Sequence, residues 1–428
     1  MENINMDDSA LQDERREKRR QRRIKSQITA YIVAAALFFV IIGAGFFVVR
    51  GVGGALIRMS AEAEESMEEA SVETEPTAVE SPDESVTDVA VLDTPDVLDE
   101  IVDTCMADMT LEDKVAGLFF VAPEQLTGTD VAVKAGTATQ DALAAYPVGG
   151  MCYFSKNIKD EAQITDMISS TKSMSKYPIF IATTEVGGSS SQVSSALSLP
   201  VPATPSEIGS SGDAKKAFDS AAGVSDYLNK YGFDLNIGVN ANLSDSEAAF
   251  GTDPELVSEM VAQTISGLRT YGVKSCLQYF PNMSDKGETI DDMADELIPF
   301  SRGVDAGADM IMVCTAPSSG VTGDDTPSCL SSQVIQGVLR ERLGYKGIII
   351  TDSLTDGNVT EKYSSADAAV AAIQAGADMI FMPENFTESY EGILAAVQSG
   401  IITEDRINES IHRIYRVKYA DKAAEISE

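Results

Sequence analysis

The sequence predicts an α/β fold, a (β/α)8 barrel of the TIM type, preceded by a disordered stalk and one transmembrane helix. The first observation behind this prediction is an alternation of short apolar runs with amphipathic segments, which begins at about Val102. Runs that are apolar throughout are typical of parallel strands that helices cover on both faces. The second observation is the number of units, because eight of them over about 310 residues fit this barrel.

The eight apolar runs predict the strands in chain order. Several of the segments between them end in glycine, as helices commonly do before the next strand. The runs cover residues 117–121 (GLFFV), 150–154 (GMCYF), 179–183 (IFIAT), 233–237 (FDLNI), 275–280 (SCLQYF), 310–315 (MIMVCT), 347–352 (GIIITD) and 379–383 (MIFMP).

An internal repeat is the third observation. Residues 306–311 (AGADMI) recur as residues 375–380. Each copy has the pattern of a helix end, a tight turn and a strand start, so the two copies are predicted to form equivalent corners of one barrel. The alternative is an open doubly wound sheet. Its dinucleotide-binding version has no support, because no G-x-G-x-x-G follows the first run.

The transmembrane helix is predicted at residues 30–49, which contain no charged side chain. Twenty helical residues span about 30 Å, the thickness of the hydrocarbon core of a bilayer. Eight basic residues between Arg15 and Lys25 predict a cytoplasmic N-terminal tail, residues 1–29, and a C-terminal part outside the cytoplasm. The alternative is a cleaved signal peptide, with Ala61-Glu62-Ala63 as its cleavage site.

An acidic stalk, residues 50–99, is predicted to connect this helix to the barrel, residues 100–428. The stretch from Ser60 to Thr104 contains many Glu and Asp and no Lys or Arg, so it is too polar to form a core. The whole chain has a net charge of −35, from 32 basic and 67 acidic residues. Such a charge repels nucleic acid, which we therefore exclude as a partner.

The cysteine pattern predicts neither a disulfide-built domain nor a metal site. The five cysteines are too few and too widely spaced for a disulfide framework, although Cys314 and Cys329 could pair across a loop. The chain has no CxxC motif and no histidine cluster, so we predict no metal and no cofactor.

Candidate site residues are found where the predicted strands end, because barrel active sites lie at the C-terminal ends of the strands. Asp352 follows three isoleucines and has no packing reason to be there; its alternative role is to cap the next helix. The other polar residues at strand ends are Thr184, Glu185, Asn236, Asn240, Asn242, Gln278 and Tyr279.

Motifs in matching order give the chain from roughly Leu98 to Ala420 a resemblance to a known family. The motifs are MTLEDKVAGLFFV (109–121), YPVGGMCYFSKNIKD (146–160), FGTDPELV (250–257), IIITDSL (348–354) and RINESIHRIYRVKYA (406–420), with a Gly-Gly pair at 187–188 and Phe-Pro at 280–281. This stretch resembles the N-terminal barrel domain of glycoside hydrolase family 3, and it is most similar to the β-N-acetylhexosaminidases of that family.

The resemblance implies a retaining hydrolase, in which a carboxylate nucleophile attacks the anomeric carbon and a general acid protonates the leaving oxygen. It places Asp352 at the nucleophile position, within the T-D-x-L motif. Other family positions are substituted: Thr184 stands for Asp, Val186 for Glu, Ala248 for Arg, Gln278 and Tyr279 for a Lys-His pair, and Asp291 and Met293 for the acid/base Asp-x-His.

These substitutions predict an impaired enzyme. The chain has a single histidine, His412, which lies in the final helix far from the strand ends, so a carboxylate such as Asp291 is the possible acid/base residue. Loss of the acid costs a factor of about 10²–10⁴ in rate. Degenerate substrate-binding positions are Thr184, Glu185, Gln278 and Tyr279.

The sequence therefore predicts a membrane-anchored protein of the cell envelope that binds glycan or acts as a scaffold. The alternative is an active retaining glycosidase that hydrolyses N-acetylglucosamine-containing glycans, with Asp352 as nucleophile. The predicted partners are cell-wall glycan or another carbohydrate, the membrane through residues 30–49, and an envelope protein.

Overall fold

A computed structural model describes residues 97–427. The predicted tail, transmembrane helix and nearly all of the stalk lie outside the described residues. Within the described part, none of the helices is long and apolar enough to cross a bilayer.

Eight parallel strands form the centre of the fold, and all eight predicted strands are confirmed. Their bounds are β1 Phe119–Val121, β2 Gly150–Cys152, β3 Phe180–Thr183, β4 Leu235–Asn240, β5 Lys274–Phe280, β6 Met310–Val313, β7 Ile348–Thr351 and β8 Ile380–Phe381. Neighbours along the chain pair with each other, and β1 pairs with β8. A parallel bridge between Ile350 and Met379 joins β7 to the start of β8. The ring is therefore closed as the barrel prediction requires.

Helices cover the outside of the barrel. The α-helices of seven or more residues are Val97–Ala107, Leu111–Gly117, Thr137–Ala145, Glu161–Met174, Ala214–Tyr231, Pro254–Arg269, Ala294–Asp305, Ser365–Ala375, Phe386–Gln398 and Glu404–Ser427. Shorter α-helices are Pro123–Thr127, Val193–Ala196, Pro205–Ser210, Ser319–Thr322 and Gly357–Thr360, and single 3₁₀ turns are Ser155–Asn157, Gly188–Ser190 and Ser328–Leu330. The segment before β7, Gln333–Arg342, is a π-helix.

Aromatic side chains fill one end of the barrel interior. The rings of Phe120 and Phe180 stack with their centroids 6.4 Å apart, and Phe381 lies 5.9 Å from Phe120. A Cβ on Gly150 would stand 2.3 Å from the Phe120 ring. Glycine is therefore required in β2 for Phe120 to occupy the interior.

Aspartates fix the N-terminal ends of alternate strands. Asp234, Asp309 and Asp378 each stand immediately before an even-numbered strand or one residue further upstream. Their carboxylates accept hydrogen bonds from backbone N–H groups of the preceding strand: Ile181 at 2.8 Å, Ser275 at 2.8 Å and Ile349 at 3.0 Å, respectively. The two copies of AGADMI therefore form equivalent corners, as predicted, and in both copies the glycine has positive φ.

Candidate active site

Asp352 lies at the C-terminal end of β7, where its backbone N–H donates to Val313 O at 2.8 Å. One carboxylate oxygen accepts the backbone N–H of Ser353 at 2.7 Å. None of the Lys, Arg and His side chains within residues 97–427 forms an ion pair with it. Burial, with a contribution from the negative charge of Asp356, raises the pKa of Asp352 to about 6.

The negative charge of Asp352 acts on titratable groups of β5 and of the segment after β6. Burial, together with the negative charge of Asp352, raises the pKa of Tyr279 to about 12. The Asp352 charge also contributes to the raised pKa of the buried thiols of Cys276 and Cys314, for which burial is the main cause. Both thiols are free. Among residues 97–427, none of these three groups donates a hydrogen bond to the Asp352 carboxylate, which accepts the N–H of Ser353.

Asparagines after β4 hold the end of β5. The Asn242 side chain binds both polar backbone atoms of Tyr279: its Nδ2 donates to Tyr279 O at 2.9 Å, and its Oδ1 accepts from Tyr279 N at 3.0 Å. Asn240 in turn accepts the backbone N–H of Asn242 at 2.9 Å. The peptide bonds Gln278–Tyr279 and Phe280–Pro281 are cis. Asn242 therefore holds the backbone at the end of β5, a role that its place after a strand did not reveal.

Glu185 is buried, and its carboxylate is fully occupied by the protein. It accepts the backbone N–H groups of Gln192, Val193 and Ser194 at 2.7, 2.8 and 3.0 Å, and the Tyr227 hydroxyl at 2.7 Å. This geometry makes Glu185 the anchor of the loop after β3. The carboxylate has no free position for a substrate hydroxyl.

The other predicted substrate-binding residues differ in their surroundings. Gln278 is buried, and its amide contacts Met312 Sδ at 3.7 Å. Thr184, which follows β3, is half-buried. Tyr279 is half-buried at the end of β5. Gln278 faces β6, the strand between β5 and β7.

Asp291, the predicted acid/base residue, lies on the outer surface. Its side chain is 86% exposed, and its carboxylate pairs with Arg342 at 2.9 Å. Met293, two residues on, is buried. His412 lies 3.3 Å from Asp99, on the final helix, as its sequence position indicated. Among residues 97–427, no group of three His, Cys, Asp or Glu side chains is arranged to hold a metal ion.

The raised pKa of Asp352 predicts a pH-dependent gain in stability for Asp352→Asn. The Asp352 carboxyl binds its proton more tightly in the folded state than in the unfolded chain, where its pKa is near 3.8. The cost of ionising Asp352 is therefore absent below about pH 4 and complete above about pH 6. Because some solvent contact remains, we expect the variant to be more stable by about 2 kcal/mol at pH 7.5 and unchanged at pH 4.

Urea unfolding at the two pH values measures this difference. Asp219→Asn is the matched control, because Asp219 is exposed and pairs with Lys215 within one helix; its effect should stay within about 0.5 kcal/mol at both pH values. A loss of stability in Asp352→Asn at pH 7.5 would contradict the raised pKa.

Comparisons with known proteins agree with the architecture. A family model described as the glycosyl hydrolase family 3 N terminal domain matches residues 110–417. Beta-hexosaminidase A of Pseudoalteromonas piscicida is 24% identical over 324 residues, which cover 64% of this chain and 54% of that protein. A beta-hexosaminidase of Nitrosomonas eutropha is 26% identical over 305 residues, or 65% of this chain and 85% of that protein. The chain thus spans about half the length of the first relative.

Solved structures share the fold. A family 3 beta-N-acetylglucosaminidase from a Paenibacillus species superposes with a TM-score of 0.69 at 24% identity, covering 74% of this chain and 63% of that one. A beta-N-acetylhexosaminidase from Beutenbergia cavernae gives 0.61 at 24% identity, with 73% and 99% coverage. The family model extends from the helix before β1 to the closing helix, and the chain accordingly belongs to glycosyl hydrolase family 3, whose N-terminal domain forms its barrel.

Proposed function

We propose that the barrel is a glycan-binding domain with little or no hydrolytic activity, carried by a membrane-anchored protein of the cell envelope. The observation that carries the proposal is that, among residues 97–427, Asp352 forms no ion pair with a cation and no hydrogen bond with a second carboxyl group. Retaining hydrolysis needs an ionised nucleophile and a second group that protonates the leaving oxygen.

The surroundings of Asp352 support the first part of this argument. A nucleophilic carboxylate must be ionised when the substrate is bound, and a nearby cation or several N–H donors would favour that form. Asp352 has one backbone donor, Ser353, and its pKa is raised to about 6 by burial. A bound sugar would exclude more water and so disfavour the ionised form further.

The loop after β5 supports the second part, because three of its five carboxylates, those of Asp285, Asp291 and Asp292, are engaged elsewhere. Asp285 accepts the backbone N–H groups of Gly287 and Ser319 at 2.9 and 3.1 Å, and these bonds lower its pKa. Hydrogen bonds from Thr289 lower the pKa of Asp292. A general acid needs a raised pKa to hold its proton near neutrality. Neither residue fits that role, and Asp291 is paired with Arg342.

A cavity on the same face of the barrel supports glycan binding. It has a volume of about 310 Å³ and lies between the segments that follow β7 and β8. The residues that line it include Tyr363, Ser364, Thr360, Glu384 and Glu388. An aromatic ring combined with hydrogen-bonding groups suits a neutral sugar, whose ring has apolar faces and a polar rim. The hexosaminidase names of the relatives make an N-acetylglucosamine-containing glycan the first candidate ligand.

The second candidate function is an active retaining glycosidase, and the retention of Asp352 favours it. At pH 7.5 a carboxyl with a pKa near 6 is mostly ionised. Such an enzyme would have to rearrange the loop after β5 to bring one of its carboxylates to the leaving oxygen.

Hydrolysis of 4-nitrophenyl N-acetyl-β-glucosaminide at pH 7.5 distinguishes the two functions. We expect the full chain to show turnover at the background rate, identical in Asp352→Asn, together with saturable binding of N-acetylglucosamine oligosaccharides. Tyr363→Ala should weaken that binding at least tenfold, because it removes the aromatic wall of the cavity. Turnover that Asp352→Asn abolishes would establish the glycosidase instead.

The topology is part of the proposal. The uncharged run 30–49 and its basic N-terminal flank support a single membrane span, with the N-terminus in the cytoplasm and the barrel outside. Protease added to intact cells should then digest the barrel. A barrel that is digested only after the membrane has been opened would contradict this orientation.

A further inference from the structure

The N-terminal end of the barrel, opposite Asp352, contains a cavity that the proposed function does not use. Its volume is about 320 Å³. The walls come from the start of β3, the first residue of β5 and the closing helix Glu404–Ser427. Three lysines line it, each from a different element: Lys172, Lys274 and Lys418. In a chain with a net charge of −35, this cavity collects positive charge.

The lysines of this basic cavity differ in their partners. Lys172 pairs with Asp234 at 2.9 Å, and Lys274 pairs with Asp421 at 2.9 Å. Lys418 donates to the backbone oxygen of Pro178 at 2.7 Å. No carboxylate within residues 97–427 forms an ion pair with Lys418. The opposite charges within each of the two ion pairs cancel, so the cavity retains one positive charge when Lys418 is protonated.

Aromatic rings enclose the Lys418 ammonium. Its Nζ lies 4.8 Å from the centroids of both Phe180 and Tyr415. Burial lowers the pKa of Lys418 to about 7. A single carbonyl oxygen and two ring faces are the groups found against this ammonium among residues 97–427. An anion in the cavity would supply the hydrogen-bond acceptors that this group lacks.

We propose that this basic cavity binds a small monocarboxylate, with the carboxylate against Lys418 and the apolar part of the ligand against Ile179 and Phe180. The net charge of the cavity favours a monoanion. Asp234 and Asp421 also line the cavity, and they repel a second negative charge such as that of a phosphate dianion. At about 30 Å³ per water molecule, the volume corresponds to roughly ten non-hydrogen atoms.

Calorimetric titration of the full chain with sodium benzoate at pH 6.5 tests the proposal. We expect saturable binding that Lys418→Met weakens at least tenfold, because methionine keeps the stem and removes the charge. Lys418→Arg should retain binding within a few-fold. Lys216→Met is the matched control, because Lys216 is exposed on the helix Ala214–Tyr231, and it should bind as the wild type does.

The pH profile of the wild type gives an independent readout. The charged and titratable groups around Lys418 are Asp234, Lys172, Lys274, Asp421, Tyr415 and Cys105. Because the ammonium form binds the carboxylate, affinity should fall about tenfold from pH 8 to pH 9. Absence of binding, equal binding by Lys418→Met, an affinity independent of pH, or tighter binding of inorganic phosphate would each overturn the proposal.

Discussion

Asp378→Ala is expected to lower the free energy of unfolding by about 4 kcal/mol, because it leaves buried arginines without their counterion. Asp378 is 0% exposed and lies just before β8. One carboxylate oxygen accepts Arg413 Nη1 at 2.9 Å and the Ser410 hydroxyl at 2.8 Å; the other accepts Arg340 Nη2 at 2.5 Å and the Ile349 N–H. Burial already lowers the pKa of Arg340, and the Asp378 charge opposes that effect.

Urea unfolding at pH 7 measures this loss, and the internal repeat provides the matched control. Asp309 occupies the equivalent corner, but within residues 97–427 its carboxylate accepts only the N–H and hydroxyl of Ser275. Asp309→Ala should therefore cost about 1–2 kcal/mol. Equal losses at the two corners would show that the arginines contribute nothing beyond the shared backbone bond.

Glu185→Ala is expected to lower the free energy of unfolding by about 3 kcal/mol. The substitution strands three backbone N–H groups, two of them buried, and the Tyr227 hydroxyl, all of which now donate to one carboxylate. Each buried donor left unsatisfied costs about 1–3 kcal/mol, and partial relaxation of the loop reduces the sum. Thermal or urea unfolding of the full chain gives the value.

Tyr227→Phe is the control for Glu185, because it removes one of the four donors and leaves the others in place. It should cost about 1 kcal/mol. Glycan binding separates the structural role from the predicted substrate-binding role. If Glu185→Ala left stability unchanged but abolished binding of N-acetylglucosamine oligosaccharides, Glu185 would be a ligand-binding residue after all.

The sequence was sufficient to predict the barrel, because its strands are short, apolar and buried, and the helices between them are amphipathic. The run at 347–352 shows why: three isoleucines followed by Asp352 read as a strand and its polar end, and β7 ends at Thr351. The segment before it was predicted as an ordinary amphipathic helix. It is a π-helix. The apolar periodicity could not predict this, because it does not determine the spacing of the hydrogen bonds in a helix.

The site was less predictable, because pairings between distant residues leave no local pattern. Glu185 was singled out for its place after β3, yet its partners lie 7–9 residues downstream, at Gln192 to Ser194, and on a separate helix at Tyr227. Asn242 was visible as a polar residue after β4, but its two bonds to the Tyr279 backbone depend on how β4 and β5 align. The π-helix residue Arg342, which pairs with Asp291, is separated from it by 51 positions.

The ion-pair cluster at Asp378 also joins parts of the chain that are synthesised at different times. Asp378 and all eight strands precede Arg406 and Arg413 in the chain. On the ribosome, the carboxylate is therefore synthesised before two of the arginines that hold it. A nascent chain that carries every strand can hold Asp378 through Arg340 and Ile349, but it still lacks the ion pair with Arg413. We therefore expect the barrel to reach its full stability late in synthesis, after the last helix has emerged.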